Sequence, residues 1–264
     1  MSILIGSHVS ASDAIEEARV RDAQLAQFFL GSPQRWSAPS VSYPGGAAAL
    51  KADAAHAGVG LYVHAAYLIN IASPNPKVRF PSRKLLQDTC TLAGQVGAKG
   101  VIVHGGHVTE GAPIETGYDN WFKMIDSLET EVPLLIENTA GGKHAMARYC
   151  ESLARLWERI SSASGFAHVG FCLDTCHAHA AGELLDTLVE RVKAITGRID
   201  LVHANDSRDA FGSGADRHTN LGAGTIDPDA LVAVVREAAC DALVETPNGA
   251  EAQAADIAWL RDRL

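Results

Sequence analysis

Aromatic residues are scarce in this 264-residue chain, at 6%, and basic residues are outnumbered, 22 lysines and arginines against 31 aspartates and glutamates. Few aromatics argue against an aromatic-rich sandwich, and the alanine- and valine-rich 47% hydrophobic content favours helices packed on strands. The formal net charge of −9 counts against a nucleic-acid partner, because phosphate binding normally draws on a lysine and arginine surplus. That objection weakens if some carboxylates hold divalent cations, each adding two positive charges. Five cysteines, an odd number spread from Cys90 to Cys240, make no disulfide framework, so free thiols in a reducing compartment are expected. No stretch approaches the uninterrupted apolar run of a membrane-spanning helix, and the start, MSILIGSHVS, lacks the basic and apolar segments of a leader. The expectation is a cytoplasmic protein with no membrane partner. No linker, short-period repeat or low-complexity tract divides the chain, which predicts a single domain over residues 1–264.

What is present is a repeating pattern. Short β-branched or apolar runs ending in polar residues or glycine alternate with longer alanine-rich stretches, the signature of successive βα units. Strands are predicted over 3–5, 27–30, 61–63, 100–103, 134–136, 170–173, 200–203 and 242–244. Helices are predicted over 12–23, 82–96, 121–128, 145–162, 184–192 and 229–239, the last entered through Pro228 with Asp227 as its cap. Eight units imply a closed (β/α)₈ TIM barrel, with an open doubly wound sheet as the other arrangement of the same pattern.

In such a barrel the chemistry sits at the C-terminal ends of the strands, so the informative residue is the first polar one after each apolar run. The third to eighth strands end in LYVHA, VIVHG, LLIEN, FCLDT, DLVHA and ALVET, at His64, His104, Glu137, Asp174, His203 and Glu245. A lone residue of this kind is usually a capped strand end or a satisfied core histidine. Six around one axis differ, because three carboxylates in a small, partly dry volume repel unless cations join them. Mixed imidazole and carboxylate donors suit zinc first, then manganese or iron. His177 of DTCH, with Asp216 and His218 of ADRH, brings the candidates to nine, a number that suits a three-metal cluster. Closely spaced ions are the usual device for phosphodiester cleavage.

Other groups have plainer readings. His107 and His179, each two residues beyond a candidate, are read as neighbours of the site rather than ligands. His8 could line the pocket floor. Cys172 falls in an apolar strand and packs as a small hydrophobe. LGAGTID, from Leu221 to Asp227, is read as a turn before the last βα unit, and the acidic run from Glu110 to Glu131 as a solvated helical face.

The motifs HAAYLINIASP from His64, IENTAG from Ile136, CLDTCHAHAAG from Cys172, HANDS from His203, DRHTNLGAGTI from Asp216 and ETPN from Glu245 run in order through most of the chain. Together they resemble those of the endonuclease IV family, zinc-dependent apurinic/apyrimidinic endonucleases on a TIM barrel. The resemblance implies three Zn²⁺ ions, with Mn²⁺ or Fe²⁺ able to replace some of them. One would be held by His64, His104 and Glu137, a second by the bridging Glu137 with Asp174, His203 and Glu245, and a third by His177, Asp216 and His218. It implies hydrolysis of duplex DNA 5′ to an abasic site by a zinc-bound hydroxide, leaving a 3′-hydroxyl and a 5′-deoxyribose phosphate, by a monomeric DNA-repair enzyme. Tyr67 and Leu68 would wedge into the stack, with Arg35 entering from the loop after the second strand. The chain departs from the family pattern in carrying Gly105, Gly106 and His107 where proline, glycine and serine are common, and its segment around Arg35 is one residue shorter. The rival is a metal-dependent sugar isomerase or epimerase on the same barrel, for which His177, Asp216 and His218 have no evident use. A catalytically silent metal- or DNA-binding module ranks last.

Overall fold

A computed structural model describes residues 3–264. In chain order its elements are β1 (Ile5–His8), α1 (Ala14–Val20), β2 (Leu25–Phe29), α2 (Gly46–Ala57), β3 (Gly60–His64), α3 (Pro76–Val96), β4 (Val101–His104), α4 (Glu115–Asp126), β5 (Leu134–Glu137) and α5 (Cys150–Ile160). There follow β6 (Val169–Asp174), α6 (Thr175–Ala181), α7 (Leu188–Thr196), β7 (Leu201–His203), β8 (Asp206–Ser207), β9 (His218–Thr219), α8 (Pro228–Ala238), β10 (Asp241–Val244) and α9 (Gly249–Arg261). Strands β1 to β7 and β10 pair in parallel, in sequence order, and β10 closes on β1. This is the closed (β/α)₈ barrel that the strand and helix pattern predicts. The pair β8–β9 is a short antiparallel ribbon in the loop after β7.

Strand periodicity positions the chemistry. Successive side chains point to opposite faces. The outward residues, such as Phe28, Val63, Val103, Ile136 and Val202, join Leu86, Trp121, Leu156 and Val235 of the helices in the main core. The inward residues Leu25, Tyr62, Ile102, Leu135, Cys172, Leu201 and Leu243 form a second, smaller apolar cluster that plugs the barrel. Two residues further along those same strands, on the same inward face, stand Gln27, His64, His104, Glu137, Asp174, His203 and Glu245. The alternation that fills the barrel thus also delivers a polar ring at its C-terminal mouth. Cys172 lies in the apolar plug, where burial pushes its thiol up to about 12, so it packs as a neutral group, and all five cysteines are free.

Several boundaries differ from the sequence reading for identifiable reasons. β1 begins at Ile5 rather than ending there. Gly6 pairs with both Leu25 and Leu243, and a Cβ at Gly6 would overlap the Leu25 carbonyl, so a strand residue has to be glycine and resembles a turn. His8 is therefore the last residue of β1, not a loop residue. α3 starts six residues before Ser82, with Pro76 in its first turn and the Asn75 side chain accepting from the Lys77 N–H, and it runs through Pro81. α5 starts at Cys150 because Ala145 pairs with His107 in an antiparallel bridge instead. The 184–192 stretch divides into a 3₁₀ turn, Leu185–Thr187, followed by α7. Asp227 caps α8 as expected, accepting from the N–H groups of Asp229 and Ala230. The acidic run is a solvated face only in part. α4 buries Tyr118, Trp121, Met124 and Ile125, while Glu115 and Asp119 remain exposed and pair with Arg155 and Arg159. Among the described residues no helix is long and apolar enough to cross a membrane.

Candidate metal centre

Glu137 lies at the end of β5 with no exposed surface, and its two carboxylate oxygens face different partners. Oε2 lies 3.3 Å from His64 Nε2 and 3.4 Å from His104 Nε2, whereas Oε1 lies 3.0 Å from His203 Nδ1. Glu245 Oε2, at the end of β10, lies 3.4 Å from the same His203 nitrogen. Donor atoms of Asp174, His203 and Glu245 converge with Glu137 into one four-residue group, and those of His64, His104 and Glu137 into another. Further out, Asp216 Oδ1 stands 3.2 Å from His177 Nε2 and 3.2 Å from His218 Nε2, and Asp174 Oδ2 is 3.7 Å from His218. His177 sits on α6, not in a loop as its position beyond a strand suggests. Asp174 caps that helix by accepting from the His177 N–H at 2.7 Å. His218 opens β9, the ribbon that returns to the barrel mouth. All nine predicted ligands are therefore brought together. Six of them line a cavity of about 530 Å³, rimmed by Tyr67 and Pro247. A cavity of about 590 Å³ at the opposite end of the barrel gathers Tyr62, Lys99, Arg198, Asp200 and Asp241. Its acids are already paired with Lys99 and Arg198, so it holds no comparable unspent charge.

The donors are arranged for cations. A carbonyl oxygen only accepts, so a ring nitrogen beside one carries hydrogen, leaving the other nitrogen bare. His64 Nδ1 lies 2.7 Å from the Ala65 carbonyl, His177 Nδ1 2.8 Å from that of Asn138, and His203 Nε2 2.8 Å from Gln27 Oε1. In each case the other nitrogen faces a carboxylate. His218 Nε2 is buried with no hydrogen-bond partner. Lone pairs aimed at carboxylates repel unless a cation lies between them, so the residues present fit bound metal.

The electrostatics agree. Burial would raise Glu137, yet His203 and His104 hold its carboxyl well below the usual carboxylate range. Burial would likewise lower His177 and His203, but the groups around them, Asp174, Asp216 and Glu137 for the first and Cys172, Glu245 and Glu137 for the second, lift both well above an ordinary imidazole. His218 is lifted to about 9 against burial, through Asp216, Asp174 and Glu245. His104 is lowered to about 4 by burial, which outweighs the pull of Glu137 and is helped by the neighbouring His64 and His177. Without metal, the cluster draws protons to places where metal would otherwise put positive charge.

Three residues that sequence reasoning did not single out orient the ligands. The Gln27 amide accepts from His203 through its oxygen and donates to Glu245 Oε1 at 2.6 Å. Asn205 donates to Asp174 Oδ2 at 2.7 Å and accepts from the Glu245 N–H at 2.8 Å. Asn138 accepts from the Asp174 N–H at 2.7 Å. Asn138 and Asn205 stand inside the motifs IENTAG and HANDS, one and two residues past a ligand, where their signal could have been read. Gln27 had a weaker one, as the polar residue inside the second apolar run.

The remaining candidates separate. His8 lies 3.4 Å from Glu245 Oε1 and borders the site. His179 is held outside it by the Asp209 carbonyl and Thr225. His107 is exposed, and its backbone is clamped by the Asn70 amide. The LGAGTID segment is a turn wrapped around a protein carboxylate: the N–H groups of Gly222, Gly224 and Ile226 all donate to the buried Asp206. Tyr67 is exposed beside His104, its ring centroid 6.0 Å away, Leu68 is half-buried against the core, and Arg35 is exposed in the loop after β2.

A closed barrel with histidine and carboxylate donors at its C-terminal mouth defines a class of metal-binding TIM barrels. A family model described as "Xylose isomerase-like TIM barrel" matches residues 15–263. Within that class, "Probable endonuclease 4" of Mycobacterium marinum is 55% identical over 262 residues, spanning 99% of both chains, and that of Mycobacterium tuberculosis is 55% identical over 261. The crystal structure of endonuclease IV from Thermus thermophilus superposes with a TM-score of 0.83 at 28% identity, covering 98% of each chain. The chain belongs to the endonuclease IV family. A D-tagatose 3-epimerase-like protein, at 18% identity and a TM-score of 0.80, shares the barrel alone.

Proposed function

We propose that this protein is a DNA-repair endonuclease that hydrolyses the phosphodiester bond 5′ to abasic sites in duplex DNA, leaving a 3′-hydroxyl and a 5′-deoxyribose phosphate. The observation that carries this reading is the set of nine donors in adjoining groups, the inner two joined through Glu137 and the outer ones reached through Asp174 and His218, in a chain 55% identical to proteins named as endonucleases. His64, His104 and Glu137 would hold one zinc, Glu137, Asp174, His203 and Glu245 a second, and His177, Asp216 and His218 a third. Bound there, zinc supplies Lewis-acid activation of water and neutralises charge on a phosphate.

The chain's own residues do the rest. Glu137 directs one oxygen to each of two donor groups and so fixes their spacing. Gln27, Asn138 and Asn205 lock ligand orientations, so little reorganisation accompanies the reaction. Tyr67 stands over the cavity with its phenol pushed up to about 12 by burial and by Glu245 and Glu137, and it stays protonated as a neutral wedge. With Leu68, and Arg35 from the neighbouring loop, it would enter the stack where the base is missing, which costs less than at an intact pair.

A sugar isomerase needs one or two metals, and nothing in that chemistry calls for the outer group of His177, Asp216 and His218. Glu137→Gln keeps the shape but removes the bridging charge. Incision of an abasic duplex should fall by at least about a thousandfold, about 4 kcal/mol of transition-state stabilisation, with the circular dichroism spectrum unchanged. Full activity in that variant would contradict the proposal.

A further inference from the structure

The charge of −9 leaves open what grips DNA outside the metal centre. Most arginines on the helices and at the far end of the barrel are spent. Arg19, Arg21, Arg155, Arg159, Arg198 and Arg261 pair with carboxylates, and Arg79 and Arg236 donate to carbonyls. Among the described residues Arg35, Lys143, Arg148 and Arg208 make no such contact through their side chains. All four lie in loops leaving the C-terminal ends of β2, β5 and β7. Each of these loops also exposes an aromatic ring near its cation: Trp36, Tyr149 and Phe211.

Arg148 is the most constrained of the four. Its Nε is buried and has no hydrogen-bond partner, and its guanidinium carbon sits 4.8 Å from the centroid of the Tyr149 ring. Nη2 lies 3.5 Å from where a Cβ on Gly214 would stand, two residues before the ligand Asp216. The loops after β5 and β7 touch at this seam, where a Cβ on Gly141 would come within 2.7 Å of the Gly214 carbonyl oxygen. A guanidinium held on a ring, beside a metal ligand and short of an acceptor, suits a phosphate, which fits its fork of donors. In the barrel order β5 stands two places from β3, and Gly141 and Ala145 of the loop that carries Arg148 line one cavity with Tyr67 and Leu68, so this cation lies on the rim of the mouth that also carries the aromatic ring beside His104.

We propose that Arg148 binds a DNA backbone phosphate at the seam between the loops after β5 and β7. The inference rests on the proposed function and assigns it a phosphate contact. The probe is the nicked product duplex carrying one abasic analogue, which cannot be cut again, titrated by anisotropy against zinc-loaded full-length protein over a series of salt concentrations. Arg148→Met should weaken binding and make the slope of log K against log salt shallower by about 0.9, the value for one lost phosphate contact on duplex DNA. Arg148→Lys should restore the slope, and Lys123→Met, which removes a cation on the outer helix α4, should leave it unchanged. An unchanged slope in Arg148→Met, or a slope lost only together with zinc, would overturn the assignment while leaving the proposed function standing. A wild-type chain that neither cut the abasic duplex nor bound its product would overturn both.

Discussion

His218 shows how a single side chain is shaped by the carboxylates around it. Asp216, Asp174 and Glu245 lift it to about 9 against the pull of burial, and its buried Nε2 has no hydrogen-bond partner. The ordinary value, 6.5, applies once the chain unfolds. A raised folded value stabilises the metal-free protein fully below pH 6.5, and that contribution is lost as pH rises through about 9. Zinc needs the unprotonated ring, so its affinity moves the other way and grows across the same window. Thermal unfolding with and without a chelator at the two ends of this window should show a larger zinc-induced rise in Tm at the alkaline end. A larger rise at the acidic end would mean that His218 is not a zinc ligand. At this scale the convergence of the nine candidate donors was legible because each closes an apolar run or stands in a long motif. Gln27 was not, because what it does depends on His203 and Glu245, which are distant in sequence and adjacent only in the barrel.

Elements carry these residues into place, and here the sequence was informative about kind and weaker about limits. Every barrel strand was foreseen, because alternation and β-branched runs are local signals. β1 was misplaced because Gly6 answers to the Leu25 backbone, a contact no local pattern encodes. The start of α5 was misplaced because Ala145 bonds across to His107. The β8–β9 ribbon was not foreseen at all, since two-residue strands carry no periodicity. Asp206 secures it from beneath, accepting from the N–H groups of Gly222, Gly224 and Ile226 and from its neighbour Ser207. Asp206→Ala would leave the buried N–H groups of Ile226 and Ser207 without an acceptor, while water could reach those of the exposed Gly222 and Gly224, costing on the order of 2 kcal/mol, and would loosen the strand that carries His218. Denaturant unfolding should report that loss, and metal analysis should find close to one zinc fewer per chain. Unchanged stability and metal content would show that the turn holds itself without the carboxylate.

For the whole molecule, composition alone points away from DNA, and the distribution of charge shows how the proposed function is compatible with it. On the proposed function the acids in the barrel mouth would hold cations and so would not oppose a phosphate. Helical acids such as Glu115 and Asp119 are paired with arginines, and the cations left unpaired include those in the loops around the mouth. The barrel cannot choose between nuclease and epimerase, since both occupy it, and the choice rests on the outer group of His177, Asp216 and His218. The most direct test is incision of a labelled duplex carrying one tetrahydrofuran abasic analogue, by metal-analysed protein before and after prolonged chelation. The analogue cannot undergo β-elimination, so the account predicts a cut on its 5′ side leaving a 3′-hydroxyl, lost as about three zincs per chain are stripped and regained on their return. No cut by protein holding its full metal complement would contradict it and bring the sugar isomerase reading forward.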